Sequence, residues 1–125
     1  MAKVLVIEDD SDVRKIVCRM LRSAGHEPIE ADQGEAGLAA LHRDQPDLVV
    51  TDLIMPGSDG IETIAKIREV SGLPIIAMSG MRQGEFAPLV DAQMMGADIT
   101  IKKPFTVEAL LSAVNELLTG DQGTV

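Results

Sequence analysis

The chain has 125 residues and a mass of 13.3 kDa, enough for one domain of roughly 14 Å radius of gyration that buries about two-thirds of its unfolded surface without help from a metal or disulfide. Its 11 Lys and Arg against 20 Asp and Glu leave a net charge of −9, which argues against phosphate backbones or anionic lipid as main ligands. Phe86 and Phe105 are the only aromatic residues, so no platform exists for stacking bases, and the single Cys18 excludes an intrachain disulfide or a Cys-based zinc site.

Strands and helices alternate along the chain. Val4-Leu5-Val6-Ile7 is a short run rich in β-branched residues and reads as a strand covered on both faces. Ser11 can cap the helix that follows, whose stripe is Val13, Ile16, Val17, Met20, Leu21 and Ala24. Gly25 stops it. Glu27 to Ala31 reads as a short, weaker strand near an edge, and Gly34 to His42 as a helix that ends before Pro46. Leu48-Val49-Val50-Thr51 is a second buried strand, followed by the turn-rich segment Met55 to Gly60. Ile61 to Val70 is helical with Asp59 as a candidate cap, and Pro74 to Met78 is a third buried strand. Phe86 to Met95 reads as a helix, Ile99 to Ile101 as a short strand and Thr106 to Leu118 as a final amphipathic helix. Residues 120–125 form a short polar tail with the composition of a frayed end. Five βα units of this kind imply a parallel sheet with helices on both faces.

In open sheets of this class, ligands bind beyond the carboxyl ends of the strands. Those ends carry Glu8, Asp9 and Asp10 after the first strand, Asp52 after the third, Ser79 and Gly80 after the fourth, and Lys102 and Lys103 after the fifth. Crowded carboxylates resist joint ionisation. A hard divalent cation such as Mg²⁺, bound by carboxylates, a carbonyl and waters, would relieve them. A lysine could then contact a phosphoryl oxygen as a point charge, a hydroxyl could hydrogen-bond another, and a carboxylate could act as nucleophile to form an acyl phosphate. Other residues have plainer roles. Asp10 and Asp12 suit the start of a helix, Lys102 alternates to the other face and reads as solvated, and His26 and His42 read as surface residues away from this edge.

Together, Glu8-Asp9, Asp52 with Met55-Pro56 and Asp59-Gly60, Ser79-Gly80, Gly96-Ala97 and Lys103-Pro104-Phe105 resemble the receiver domain of two-component response regulators. The resemblance covers residues 3 to about 119, so residues 1–119 are expected to form one receiver domain. It implies a flavodoxin-like (βα)5 fold, doubly wound, with strand order 2-1-3-4-5. It implies that Asp52 is the phosphoacceptor and receives its phosphoryl group from a sensor histidine kinase or a phosphotransfer protein, as in a phosphorelay. Glu8, Asp9, Asp52 and the backbone carbonyl of Ile54 would surround Mg²⁺, with Glu8 acting mostly through water. Ser79 and Lys103 would hold phosphoryl oxygens, and the Lys103–Pro104 bond would be cis.

Two departures from the family pattern bear on the switch. Thr100 stands three residues before Lys103, where the family usually carries an aromatic that rotates as the residue at Ser79 moves. With no ring to rotate, the signal would have to travel through Ser79 and the segment Gly80 to Gly84, which is expected to be mobile. The span from Ser79 to Lys103 also looks longer than usual for the family. In the family the positions two residues beyond those of Asp52 and Ser79 flank the route of the hydrolytic water; here they are Ile54 and Met81, which are apolar and cannot orient it, so the resemblance implies slow self-dephosphorylation.

These features describe a phosphorylation-dependent switch rather than an enzyme, apart from Mg²⁺-dependent self-phosphorylation from small phosphodonors. The alternative is a small Mg²⁺-dependent phosphohydrolase with an aspartate nucleophile. That chemistry wants an acid two residues past the nucleophile, where this chain has Ile54. Flavin binding on the same fold is disfavoured by the acidic run Glu8 to Asp10. The expected partner besides the kinase is a protein rather than nucleic acid or membrane. It, or a second copy of the chain in a dimer, would use the face made by the last two helices and last strand. No segment has the length of a bilayer span (about 20 apolar residues) and the first apolar run is too short for a signal peptide, so the expected location is cytoplasmic.

Overall fold

A computed structural model describes residues 2–55, 58–79 and 96–119. Five parallel strands form one sheet: β1 (Lys3–Ile7), β2 (Glu27–Ala31), β3 (Leu48–Asp52), β4 (Ile75–Ser79) and β5 (Ile99–Lys102). Their spatial order is 2-1-3-4-5. Four helices are described: α1 (Ser11–Ser23), α2 (Gly34–Asp44), α3 (Gly60–Val70) and α4 (Val107–Leu118). The expected helix from Phe86 to Met95 and the segment Gly80 to Gly84 lie outside the described residues.

The fold follows from side-chain alternation in strands that are apolar on both faces. Leu5, Ile7, Val49, Ile75 and Ala77 point to one side and pack with Ala40, Leu41, Ile64 and Ile67 of α2 and α3. Val4, Val6, Leu48, Val50, Ile76 and Met78 point to the other and meet Val17, Cys18 and Leu21 of α1 and Leu110, Ala113 and Val114 of α4. Every residue of β3 and β4 is buried. Each fully buried Leu or Ile contributes about 1.5–3 kcal/mol, so this two-sided core fixes the positions from which the strand ends project. β2 pairs only with β1 and is less buried, as its mixed composition predicts.

Several local readings are corrected. The cap of α1 is Asp10, not Ser11: Asp10 Oδ1 accepts from the amides of Asp12 (2.9 Å) and Val13 (3.2 Å). A carboxylate one residue earlier satisfies two open N–H groups and complements the helix dipole. In the α1 stripe, Ile16 is 50 % exposed and Ala24 lies outside the helix, while Cys18 is fully buried. The inward arc is therefore centred one position further round, on Val17, Cys18 and Leu21. α2 runs two residues past His42 to Asp44 and stops at Gln45, whose φ of 48° is left-handed. Pro74 precedes β4, its carbonyl accepting from Val49 N at 3.0 Å. Within the expected turn after β3, Ile54–Met55 and Ser58–Asp59 pair as a short antiparallel ribbon.

Candidate functional site

Parallel register brings the carboxyl ends of β1, β3, β4 and β5 to one edge. Ile7 lies opposite Thr51, Asp52 opposite Met78, and Ser79 opposite Lys102. Glu8, Asp9 and Asp52 converge there, each with a carboxylate oxygen within 4.8 Å of those of the other two. Glu8 and Asp52 are buried and Asp9 is exposed. Lys103, just past β5, reaches back over the edge, with Nζ 2.6 Å from Glu8 Oε1 and 3.3 Å from Asp52 Oδ1.

The polypeptide fixes these groups from several sides. Asp52 Oδ1 accepts from Leu53 N at 2.9 Å, and that amide also donates to Met78 O at 3.0 Å. Glu8 N donates to Ala31 O of β2 at 3.0 Å, and Glu8 Oε2 accepts from Asp10 N at 3.2 Å. Lys103 N donates to Ser79 O at 2.7 Å, which ties the lysine to the end of β4, and the Lys103–Pro104 peptide is cis. Ser79 Oγ is fully buried and has no hydrogen-bond partner among the described residues. A buried hydroxyl in that state costs about 1–3 kcal/mol, which makes it a ready donor to an incoming oxygen.

Charge is out of balance at this edge. Three carboxylates face one ammonium, 1 − 3 = −2 with all four groups ionised. Burial pushes the Glu8 carboxyl up to about 7, with the nearby charge of Asp52 adding to the rise and the Lys103 hydrogen bond opposing it. Burial alone would lower Lys103, but the hydrogen bond to Glu8 and the charges of Asp52 and Glu8 hold it above its ordinary value. The donor set is all oxygen, compact and anionic, which fits a hard divalent cation that retains waters. Glu8, Asp9 and Asp52 are the side chains that would hold it.

The remaining expected site residues are placed as follows. Ile54 lies two residues past Asp52 in the short ribbon. Thr100 is half-buried on β5 opposite Ala77. Lys102 is exposed, and His26 is occupied at the opposite end of the sheet, its Nδ1 accepting from Ala2 N at 3.2 Å. Met81 lies outside the described residues. One feature escaped the sequence reading: Arg14 of α1 donates from Nη1 to Glu8 O at 2.7 Å. The signal available was an arginine in the first turns of the helix that directly follows the acidic pair. Lys103 itself was expected at a phosphoryl oxygen, and its close pairing with Glu8 was not foreseen.

Comparison with known proteins identifies the family of this fold. The profile of the response regulator receiver domain matches residues 4–115. "Probable transcriptional regulator ycf27" of Guillardia theta is 33 % identical over 116 residues, covering 93 % of this chain and 45 % of that protein. The phosphate regulon transcriptional regulatory protein PhoB of Escherichia coli (strain K12) is 29 % identical over 119 residues, 93 % of this chain and 51 % of PhoB. The chain thus spans about half the length of these relatives. Among solved structures, the receiver domain of the Francisella response regulator 1452 superposes with a TM-score of 0.85 at 26 % identity, covering 96 % of this chain and 98 % of that one. The chemotaxis protein CheY4 of Vibrio cholerae gives 0.84 at 29 % identity, covering 94 % and 98 %. With the strand order and these matches in agreement, the chain belongs to the response regulator receiver domain family.

Proposed function

We propose that the chain is a phosphorylation-dependent signalling switch in which Asp52 accepts a phosphoryl group from a sensor histidine kinase or a phosphotransfer protein. The observation that carries this reading is the position of the Asp52 carboxylate, with two further carboxylates within 4.8 Å and the Lys103 ammonium at 3.3 Å. The match to the response regulator receiver-domain profile and the likeness to the receiver domain of the Francisella response regulator 1452 support it.

The chemistry follows from the groups present. An Asp52 oxygen attacks phosphorus in line, the P–N bond of the donor phosphohistidine breaks as the new P–O bond forms, and the departing imidazole takes up a proton. Lys103 exchanges part of its contact with Asp52 and Glu8 for a phosphoryl oxygen. Ser79 Oγ donates to a second oxygen and so loses its orphan status. Mg²⁺, when bound by Glu8, Asp9 and Asp52 with the Ile54 carbonyl, supplies charge neutralisation for the transferring group. The product adds about −1.5 to −2 charge to an acidic edge, so the cation and Lys103 are needed for the phosphorylated state as much as for its formation.

The consequence is a changed surface for a protein partner. Thr100 offers no ring to rotate, so rearrangement at Ser79 and the segment after it carries the signal. Ile54 and Met81 are apolar and cannot orient a water, which supports slow hydrolysis of the acyl phosphate. No observation favours the phosphohydrolase reading, and the matched relatives named above are regulators. The test is incubation with acetyl phosphate and Mg²⁺, followed by peptide mapping. A base-labile phosphoryl adduct on the peptide containing Asp52 supports the reading, and an adduct elsewhere, or none, removes it.

A further inference from the structure

We propose that Arg14 is a positioning residue for the acidic pair: its guanidinium holds the Glu8–Asp9 peptide in the orientation that a divalent cation requires. The proposal rests on the reading of Glu8, Asp9 and Asp52 as a cation site.

β1 ends at Ile7, so the Glu8 carbonyl has left the sheet ladder. Arg14 Nη1 takes that carbonyl at 2.7 Å, while its Nε donates to Glu30 Oε1 of β2 at 2.9 Å. On the opposite side of the same residue, Glu8 N is held by Ala31 O of β2 at 3.0 Å. Glu8 is therefore fixed at both its N–H and its C=O. The peptide plane between Glu8 and Asp9 sets the directions of both Cα–Cβ bonds, and with them the approach of two of the three clustered carboxylates. A metal site tolerates about 0.5 Å of misplacement. A charge-assisted hydrogen bond from a planar guanidinium already anchored at Glu30 suits that demand.

Arg14 reaches the acidic pair at the Glu8 carbonyl, so its action on the carboxylates runs through the backbone. Its side chain is 16 % exposed and that of Glu30 43 %. The outer anchor is the weaker, solvent-screened contact, and the inner one, at Glu8 O, carries the positioning. A simple brace between α1 and β2 would depend on both contacts alike.

The test is calorimetric titration of Mg²⁺ into the wild-type chain and the variants R14M, R14K and E30Q, with thermal melting measured on each. Loss of partners that orient metal ligands costs about tenfold or more in metal affinity. R14M should weaken Mg²⁺ binding by about that factor. R14K, which keeps a cationic donor group but no planar fork, should fall between R14M and wild type. E30Q should bind Mg²⁺ nearly as tightly as wild type. Should R14M not fold, R14K against E30Q carries the same comparison. If the Arg14 variants bind Mg²⁺ as wild type does, with only their melting temperatures lowered, Arg14 is a brace and the inference is overturned while the cation site stands. If wild type takes up no Mg²⁺, the underlying reading of the cluster falls, and the inference with it.

Discussion

Lys103 sits between two carboxylates, nearer to Glu8 than to Asp52. That placement ties the proton balance of the edge to Glu8. With its carboxyl raised from 4.5 to about 7, folded chains keep a proton over this interval that unfolded chains have lost. The unfolded state then binds fewer protons, so without a bound cation stability falls as pH rises from about 4.5 to about 7. Lys103, held above its ordinary value, acts in the alkaline range: its contribution is present at neutral pH and lost as it finally deprotonates. We expect urea unfolding in EDTA to show a downward trend for wild type across the acidic-to-neutral interval, and a flatter one for E8Q. Parallel trends for the two proteins would contradict the role given to Glu8. At this scale the sequence was informative because strand ends are easy to locate, and Glu8, Asp9, Asp52, Ser79 and Lys103 were all named from it. Pair geometry was less legible. Nothing in the order of residues tells that Lys103 leans on Glu8 as well as Asp52, or that Arg14 turns back to a backbone carbonyl.

The elements explain how the edge is held. Helix α2 lies so close to β1 that a Cβ on Gly37 would come within 2.8 Å of Ile7 Cγ1 and closer still to its Cδ1. Ile7 immediately precedes Glu8, so this contact supports the site from below. The G37A variant gains helix propensity of about 1 kcal/mol, but overpacking costs typically about 1–3 kcal/mol. A net destabilisation of up to about 2 kcal/mol is expected in urea titration, and a stabilised variant would refute the close packing. At the other end of the sheet Arg68 of α3 binds the carbonyls of Leu73 and Gly96 and the Asp98 carboxylate, with Nε–Gly96 O 3.0 Å and Nη2–Asp98 Oδ2 2.7 Å. Asp98 Oδ2 also accepts from Ile75 N at 2.8 Å. This network fixes how β5 enters the sheet, and so where Lys103 emerges. The five strands of the main sheet and the four described helices were legible from periodicity, whereas the short ribbon Ile54–Met55 with Ser58–Asp59 was not. The stop of α1 at Gly25 was legible, but its N-terminal cap was not, because Asp10 and Ser11 compete for one capping position and only backbone geometry decides between them.

For the whole molecule, the −9 charge and the acidic edge make cation binding a stability effect. A ligand that binds only the folded state at 100 times its Kd adds about 2.7 kcal/mol. Saturating Mg²⁺ should raise the melting temperature of wild type by several degrees, beyond the effect of KCl at matched ionic strength. The D9N variant should show little of that increment, and an equal rise in both would contradict the assignment of the cluster. Helix cover on both faces of the sheet was legible because strands with continuous apolar runs demand it, whereas the order 2-1-3-4-5 was implied by the resemblance to receiver domains. The described residues include no helix long and apolar enough to cross a membrane. Dimerisation through the last two helices and last strand remains a proposal, and it involves the span from Phe86 to Met95.

The central claim is that Asp52 becomes an acyl phosphate. It is tested most directly by treating the protein with acetyl phosphate and Mg²⁺, quenching in acid and reducing with borohydride, which converts an acyl phosphate to the alcohol. Mass spectrometry should then read homoserine at position 52 of the wild-type chain, with no such conversion when Mg²⁺ is chelated or in D52N. An unchanged aspartate at position 52 in phosphorylated protein, or full labelling of D52N, would contradict the account.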